Sequence, residues 1–256
     1  MIDTHCHLTH PRFRGDEDAV VARARVAGIE ACVSIGTGVE DAGRVRALTR
    51  RYEGFVFGTA GLDPFTCHAA GDAFDDALRA LEDLLAAGGF VALGEIGLDF
   101  HYDLDPRPVQ AERFERQLDL AARLGLPVVI HVREAHEEMA AILAAHPDGH
   151  GVIHSFTAGP AEAERYLALG WCLAFNGVST FPKGEAVRDA ARACPSERLL
   201  IETDSPYLSP VPLRGRRCEP AFVAHTLDRL AETRGEDRDE LSSTTSANAR
   251  RLFGLP

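Results

Sequence analysis

Residues 109–131, VQAERFERQLDLAARLGLPVVIH, combine two hydrophobicity patterns in one stretch. In the first part, apolar side chains recur at helical spacing and share roughly one face of a helix; they are Val109, Phe114, Leu118, Ala121 and Ala122. The short apolar run LPVVI follows, and it is typical of a buried strand in a parallel sheet. The stretch therefore predicts a helix that leads directly into a strand ending at His131.

The same alternation continues along the chain. Apolar runs of strand type occur near residues 2–6, 30–36, 55–61, 90–94, 127–131, 151–154, 171–175 and 198–202. Helical segments lie between most of them, such as EDAVVARARVAG (17–28) and DDALRALEDLLAAGG (75–89), and both end in glycines suited to a helix C-terminus. This order predicts an α/β fold, a (β/α)8 TIM barrel, which typically needs about 250 residues. We expect residues 1–256 to form a single TIM-barrel domain.

An open doubly wound sheet is the alternative fold. It normally carries a G-x-G-x-x-G nucleotide loop after an early strand, and no such loop follows any predicted strand here. The barrel is therefore the preferred prediction.

Composition restricts the classes of protein that the chain can belong to. No run approaches the roughly 20 apolar residues of a membrane helix, and the first residues are charged and histidine-rich rather than a basic leader followed by an apolar run. The six cysteines lack paired spacing, which favours reduced thiols and a cytoplasmic location. The net charge of −12 disfavours non-specific coating of nucleic acid. Neither a membrane nor a protein partner is implied.

Candidate metal ligands stand at the ends of several predicted strands. His5 and His7 flank Cys6, so both imidazoles point to the same side of a strand. In a parallel barrel, the functional groups come from the carboxyl ends of different strands, which meet at one mouth. The ends of the predicted strands supply His5, His7, Glu95, His131, His154 and Asp204. Four histidines and two carboxylates at one mouth predict a dinuclear site for divalent metal ions.

Five motifs in this order resemble the TatD family of metal-dependent deoxyribonucleases, a branch of the amidohydrolase-like barrels. They are DTHCHL (3–8), GEIGLDFHYD (94–103), QLDLAARLGLPVVIHVREA (117–135), IHSFTAG (153–159) and IETDSPYLSP (201–210). The resemblance implies a first metal held by His5, His7 and Asp204, and a second held by His131 and His154. It also implies that Glu95 bridges the two metals.

The resemblance further implies hydrolysis of DNA phosphodiesters by a metal-activated water, with exonuclease activity. Two divalent ions are expected; family precedent favours Mg or Mn, and the mixed imidazole and carboxylate ligands also suit Zn. Asp204 and Glu95 are the predicted catalytic residues, with Asp204 expected to orient the water and take its proton. The acidic chain makes single-stranded ends a better predicted substrate than long duplex.

Four further residues are predicted to contact substrate. Arg133 lies two residues after His131 on the same strand face, and Arg217 lies in the loop after the eighth strand, where barrels often bind phosphate. Asp63 belongs to GLDPF (61–65), where the family usually has G-x-H-P-H; Asp63 and Phe65 replace the two histidines. His101 follows GLDF near the predicted mouth.

Two other functions remain open on the sequence. The same scaffold hosts lactonases, amidases and phosphotriesterase-like enzymes, so the fold alone does not choose the reaction. A non-catalytic binding protein with an unused site is the second alternative.

Overall fold

The computed structural model describes residues 1–256, and its centre is one sheet of eight parallel strands in sequential order. The strands are β1 (Ile2–Cys6), β2 (Ala31–Ser34), β3 (Val56–Ala60), β4 (Ala92–Asp99), β5 (Val128–Arg133), β6 (Gly151–Ile153), β7 (Cys172–Phe175) and β8 (Leu199–Ile201). A bridge between Cys6 and Ser205 brings the last strand back to the first, and the Thr4 hydroxyl donates to the Ile201 carbonyl at 2.9 Å. The predicted (β/α)8 TIM barrel is confirmed.

Helices connect the strands and surround the sheet. They are α1 (Glu17–Val26), α2 (Val39–Arg51), α3 (Pro64–Ala70), α4 (Phe74–Ala86), α5 (Arg107–Leu124), α6 (His136–Ala145), α7 (Pro160–Ala168), α8 (Glu185–Ala193), α9 (Val223–Arg234) and α10 (Arg238–Phe253). On α5, Phe114, Leu118 and Ala121 are buried as predicted, whereas Ala122 is exposed. Ala122 is one residue past Ala121, and a turn of about 100° carries it off the buried face.

Two hydrophobic layers hold the barrel together. The inner layer uses small and β-branched side chains from alternate strand positions, because eight strands leave just enough interior space for side chains to fill. Ala31, Val129 and Leu200 belong to it, and Phe253 and Leu255 from the chain end complete it. The outer layer lies between sheet and helices and contains the bulkiest side chains, such as Trp171 and Tyr166.

Strand β4 is longer than the sequence predicts and contains an extra residue. Its pairing with β5 runs from Gly94 opposite Val129 directly to Ile96 opposite Ile130, so Glu95 is unmatched. Ala92 belongs to the inner layer, yet Ile96, four residues on, belongs to the outer one. Such a bulge bends the strand and redirects a side chain. It places Glu95 at the barrel mouth.

Strand β1 has a similar irregularity. Its pairing with β2 shifts between Asp3 and Cys6. Ile2 packs in the inner layer and Cys6 in the outer one, although both have even numbers. The shift therefore changes which residues face inward. Two of the three strands that carry candidate ligands, β1 and β4, thus depart from regular pairing.

The six cysteines are all buried and none forms a disulfide, as predicted. Among the helices, none has the length and apolar character that a membrane crossing would need.

Candidate metal centre

The six predicted ligands meet at the carboxyl ends of the strands. His5 lies on β1 and His7 follows it, Glu95 lies on β4, His131 lies on β5, His154 follows β6, and Asp204 lies beyond β8. Side chains separated by up to 199 residues thus converge on one point. The structure arranges them as two groups, one on either side of Glu95.

The first group contains His5, His7 and Asp204. The Nε2 atoms of His5 and His7 lie 3.2 Å apart, and Asp204 Oδ1 lies 3.8 Å and 3.5 Å from them, respectively. Glu95 Oε2 completes the group at 3.4 Å from His5 Nε2 and 3.9 Å from His7 Nε2. Four donor atoms therefore surround one small volume.

The second group contains His131 and His154. His131 Nδ1 and His154 Nε2 lie 3.0 Å and 3.1 Å from Glu95 Oε1, and 3.4 Å from each other. Glu95 thus presents one oxygen to each group, which is the arrangement that a bridging carboxylate requires.

The charges of the site depend on one another. Burial raises the pKa of Glu95, but His154 and His131 outweigh it and hold that pKa well below its usual value. Burial likewise opposes ionisation of Asp204, yet His7 and His5 lower its pKa. Burial lowers the pKa of His131, but Asp99 and Glu95 outweigh this and raise it to about 9. Without a cation, the ionised carboxylates therefore favour protonation of His7, His131 and His154, whereas burial lowers the pKa of His5.

The donor set fits divalent metal ions. Ligand atoms that are each about 2.0–2.2 Å from one ion lie about 3–3.5 Å apart, close to the separations found here. Imidazole nitrogens that face one another, as those of His5 and His7 do, share at most one proton, whereas a cation between them satisfies both. Imidazole suits Zn, and the two carboxylates also serve Mn and Mg.

Asp99 orients His131, and the sequence analysis did not single it out. Its Oδ2 lies 3.1 Å from His131 Nε2, while Oδ1 accepts the backbone N–H groups of His101 and Tyr102 at 3.0 Å. A carboxylate on Nε2 fixes the proton there and leaves the Nδ1 lone pair directed at the site. The sequence signal that could have identified Asp99 was its position in the GLDF motif, four residues after Glu95.

Glu202 and Asp3 support the site from below. Glu202 is 1% exposed, accepts the Ser155 N–H at 2.6 Å, and lies 3.6 Å from His154 Nδ1. Asp3 accepts the N–H and hydroxyl of Thr203 at 2.9 Å and 2.7 Å, which ties β1 to the segment that carries Asp204. Both carboxylates lie within the quoted motifs, two residues or fewer from a predicted ligand.

Asp204 has a backbone conformation that is uncommon for residues other than glycine. Its φ of 57° lies in the left-handed region, as does that of Ser155 at 46°. The Asp204 N–H donates to the His5 carbonyl at 2.9 Å, and its own carbonyl accepts from Tyr207 at 2.9 Å. Such conformations persist where surrounding contacts hold them, and they concentrate at functional sites.

A cavity of about 650 Å³ opens above the two groups. Of the four predicted substrate residues, Arg133 and Asp63 line it. Burial and the nearby charge of Glu95 raise the pKa of Asp63, whose carboxylate accepts the Thr66 N–H at 2.9 Å. The Arg133 side chain makes no hydrogen bond or ion pair within the protein, which leaves its guanidinium available to a ligand.

His101 and Arg217 do not line the cavity. His101 Nδ1 pairs with Glu134 Oε1 at 2.7 Å, and Arg217 donates to the Arg12 carbonyl at 2.8 Å and pairs with Asp16. The structure brings neither side chain to the mouth, because each is held by partners outside it. Tyr102, one residue beyond His101, lines the cavity instead.

Comparisons with known proteins agree with this arrangement. A sequence profile of the family described as TatD related DNase matches residues 2–254. The chain is 38% identical over 262 residues to the 3'-5' ssDNA/RNA exonuclease TatD of Erwinia amylovora, covering all of both, and 34% identical to the uncharacterized metal-dependent hydrolase YabD of Bacillus subtilis, covering 100% and 99%. The crystal structure of YJJV, a TatD homolog of Escherichia coli, matches with a TM-score of 0.93 at 34% identity, covering 100% and 98%. The chain therefore belongs to the TatD-related DNase family and is a metal-dependent hydrolase.

Proposed function

We propose that this protein hydrolyses DNA phosphodiester bonds with two divalent cations, Mg, Mn or Zn. His5, His7 and Asp204 would hold one, His131 and His154 the other, and Glu95 both. The proposal rests mainly on the position of the Glu95 carboxylate. Its Oε1 and Oε2 atoms face different ligand groups. When bound, such a cation pair polarises a phosphodiester and lowers the pKa of a water molecule.

The chain's own residues supply the remaining steps. The Asp204 side chain lines the cavity, and its lowered pKa keeps its carboxylate ionised at neutral pH. It is therefore suited to orient a water molecule and to accept its proton. Arg133 offers unpaired N–H donors at the same cavity, and a guanidinium binds phosphate oxygens in a two-pronged fashion.

The shape and charge of the molecule favour single-stranded ends as substrate. The cations would lie at the bottom of a cavity that one strand end can enter, whereas a duplex requires an extended basic face. A net charge of −12 provides no such face overall. The Erwinia amylovora relative, whose name describes a 3'-5' exonuclease for single-stranded DNA and RNA, supports the same inference.

The experiment compares the wild type with His131→Ala and Asp204→Ala on an end-labelled single-stranded oligonucleotide supplied with Mg, Mn or Zn. Both variants should lose detectable cleavage while their circular dichroism spectra stay native, because each removes a ligand without removing core packing. A parallel panel of lactones, dihydropyrimidines and phosphotriesters tests the alternative hydrolases. Undiminished cleavage in both variants contradicts the proposed site, and turnover confined to the panel contradicts the proposed substrate. Neither bound metal nor turnover would indicate a binding protein.

A further inference from the structure

Two large aromatic side chains are exposed at one wall of the cavity. Phe65 lies in the first turn of α3 and is 42% exposed, and Tyr102 in the loop after β4 is 52% exposed. Their ring centroids lie 5.3 Å apart with an angle of 63° between the planes, so the rings form a corner. Aromatic rings of this size are normally buried, because exposing them forfeits hydrophobic stabilisation. We therefore expect the two exposed rings at the mouth of the cavity to contact a ligand.

The corner is held in place by half-buried and exposed polar contacts. Arg113 of α5 donates to the carbonyls of Cys67 and Gly71 at 2.9 Å and 3.0 Å, and so binds the end of α3. The same guanidinium pairs at 2.7 Å with Asp105, in the loop that carries Tyr102. Asp105 also pairs with His68 of α3 at 3.0 Å. Helix α3 and the loop therefore hold a fixed relative position without direct burial of either ring.

The corner is also tied to the metal centre. Asp99 accepts the Tyr102 N–H with one oxygen and faces the candidate ligand His131 with the other. The Arg133 guanidinium lies over the Tyr102 ring, 5.0 Å from its centroid. One side of the cavity thus presents aromatic faces beside a cation, at a fixed distance from the ligands.

An aromatic surface next to an unpaired guanidinium matches one nucleotide of a DNA strand. Every base has a flat π-face that stacks on aromatic side chains, and the adjoining phosphate is an anion that arginine binds. A base stacked on one ring of the corner meets the edge of the other, which is the favoured aromatic geometry.

Resting on the proposed function, we propose that Phe65 and Tyr102 form a base-stacking corner for the unpaired nucleotide next to the scissile bond, with Arg133 on its phosphate. A base within a duplex has its neighbours on both faces, and it reaches the corner only after unpairing. The corner therefore contributes to the preference for single-stranded ends.

The test replaces both the side chains and the base. Wild type, Phe65→Ala and Tyr102→Ala are assayed on a single-stranded oligonucleotide and on the same oligonucleotide whose terminal nucleotides are abasic tetrahydrofuran residues. The wild type should cleave the abasic ends about tenfold less efficiently in kcat/KM, because one base–aromatic stack is lost. The loss should lie mainly in KM.

Each alanine variant should show a similar reduction on the normal oligonucleotide and little further reduction on abasic ends. Tyr102→Phe keeps the ring and should retain most of the wild-type difference in kcat/KM between normal and abasic ends. Leu169→Ala is the matched control, since Leu169 is 37% exposed but does not line the cavity. It should keep the wild-type ratio between the two substrates.

Two results would overturn the proposed stacking role. One is equal wild-type kcat/KM on normal and abasic ends, and the other is an equal loss of kcat/KM on both substrates in the alanine variants. If the wild type cleaves neither oligonucleotide, the proposed function fails separately. Equilibrium binding of the same two oligonucleotides then tests whether the corner stacks on a base. Equal affinity for both oligonucleotides would overturn the stacking role.

Discussion

The substitution Asp99→Asn separates the role of an orienting carboxylate from that of a ligand. The amide has the same shape, and its oxygen can still accept the N–H groups of His101 and Tyr102, which Asp99 now accepts at 3.0 Å. Its NH2 group then faces His131 Nε2, and it donates there only when the ring proton moves to Nδ1. That proton would occupy the lone pair that faces Glu95 Oε1 at 3.0 Å.

Two opposing effects set the magnitude. Loss of such an orienting partner typically lowers metal affinity about 10- to 100-fold. The pKa of His131, raised to about 9 in the metal-free protein, means that metal binding below that pH must displace its proton. Wild-type affinity therefore falls as the pH falls, by about tenfold per unit for each displaced proton, or about 30-fold from pH 8.5 to 7.0. Asp99→Asn removes one cause of the raised pKa while Glu95 remains, so the pH dependence of metal affinity should be weaker in the variant.

The assay is isothermal titration with Mn²⁺ or Zn²⁺ at pH 7.0 and 8.5, in buffers with different enthalpies of ionisation that report proton release. We expect the loss of metal affinity in Asp99→Asn to be largest at pH 8.5 and to shrink at pH 7.0, with fewer protons released on binding than in the wild type. Glu219→Gln is the control, because this buried carboxylate pairs with Arg23 and does not line the cavity. Equal affinity and equal proton release in Asp99→Asn and wild type would refute the orienting role.

Three further predictions concern other parts of the structure. In Gly97→Ala the added methyl group would overlap the His131 carbonyl oxygen at a φ of +151°, so the free energy of unfolding measured with urea should fall by about 3 kcal/mol or more. A fall below about 1 kcal/mol would contradict the close contact. Removal of divalent ions with a chelator should abolish hydrolysis and lower the unfolding temperature, since a ligand at 1,000 times its Kd contributes about 4 kcal/mol; an unchanged melting curve would argue against the centre. Arg133→Ala should raise KM for an oligonucleotide about tenfold with little change in kcat, and Arg133→Lys should recover part of this, because one charge-assisted contact to phosphate is removed. A KM within twofold of wild type would exclude that contact.

The barrel could be predicted from the sequence because each strand has a strong local signal. Runs of buried apolar residues marked β2, β5 and β7 within one or two residues of their ends. Strand β4 was predicted too short, since the apolar run stops at Gly94 while pairing with β5 continues to Asp99. The bulge at Glu95 results from this pairing, and no local pattern reports which residue of a strand is left unmatched.

The candidate ligands could be predicted because they follow strand ends, where topology alone brings them together. The proposed substrate contacts were harder to predict. His101 and Tyr102 are neighbours in the sequence, and only the turn fixed by Asp99 decides which of them faces the cavity. Phe65 and Tyr102 come from separate segments whose relative position depends on Arg113, a contact that no spacing pattern reveals.

The central claim is that Glu95 bridges two cations between the two ligand groups. Anomalous diffraction from crystals grown with Mn²⁺ measures this directly. We expect two peaks roughly 3.5–4 Å apart, one beside His5, His7 and Asp204 and the other beside His131 and His154, with Glu95 between them. A single peak, or peaks away from Glu95, would contradict the claim.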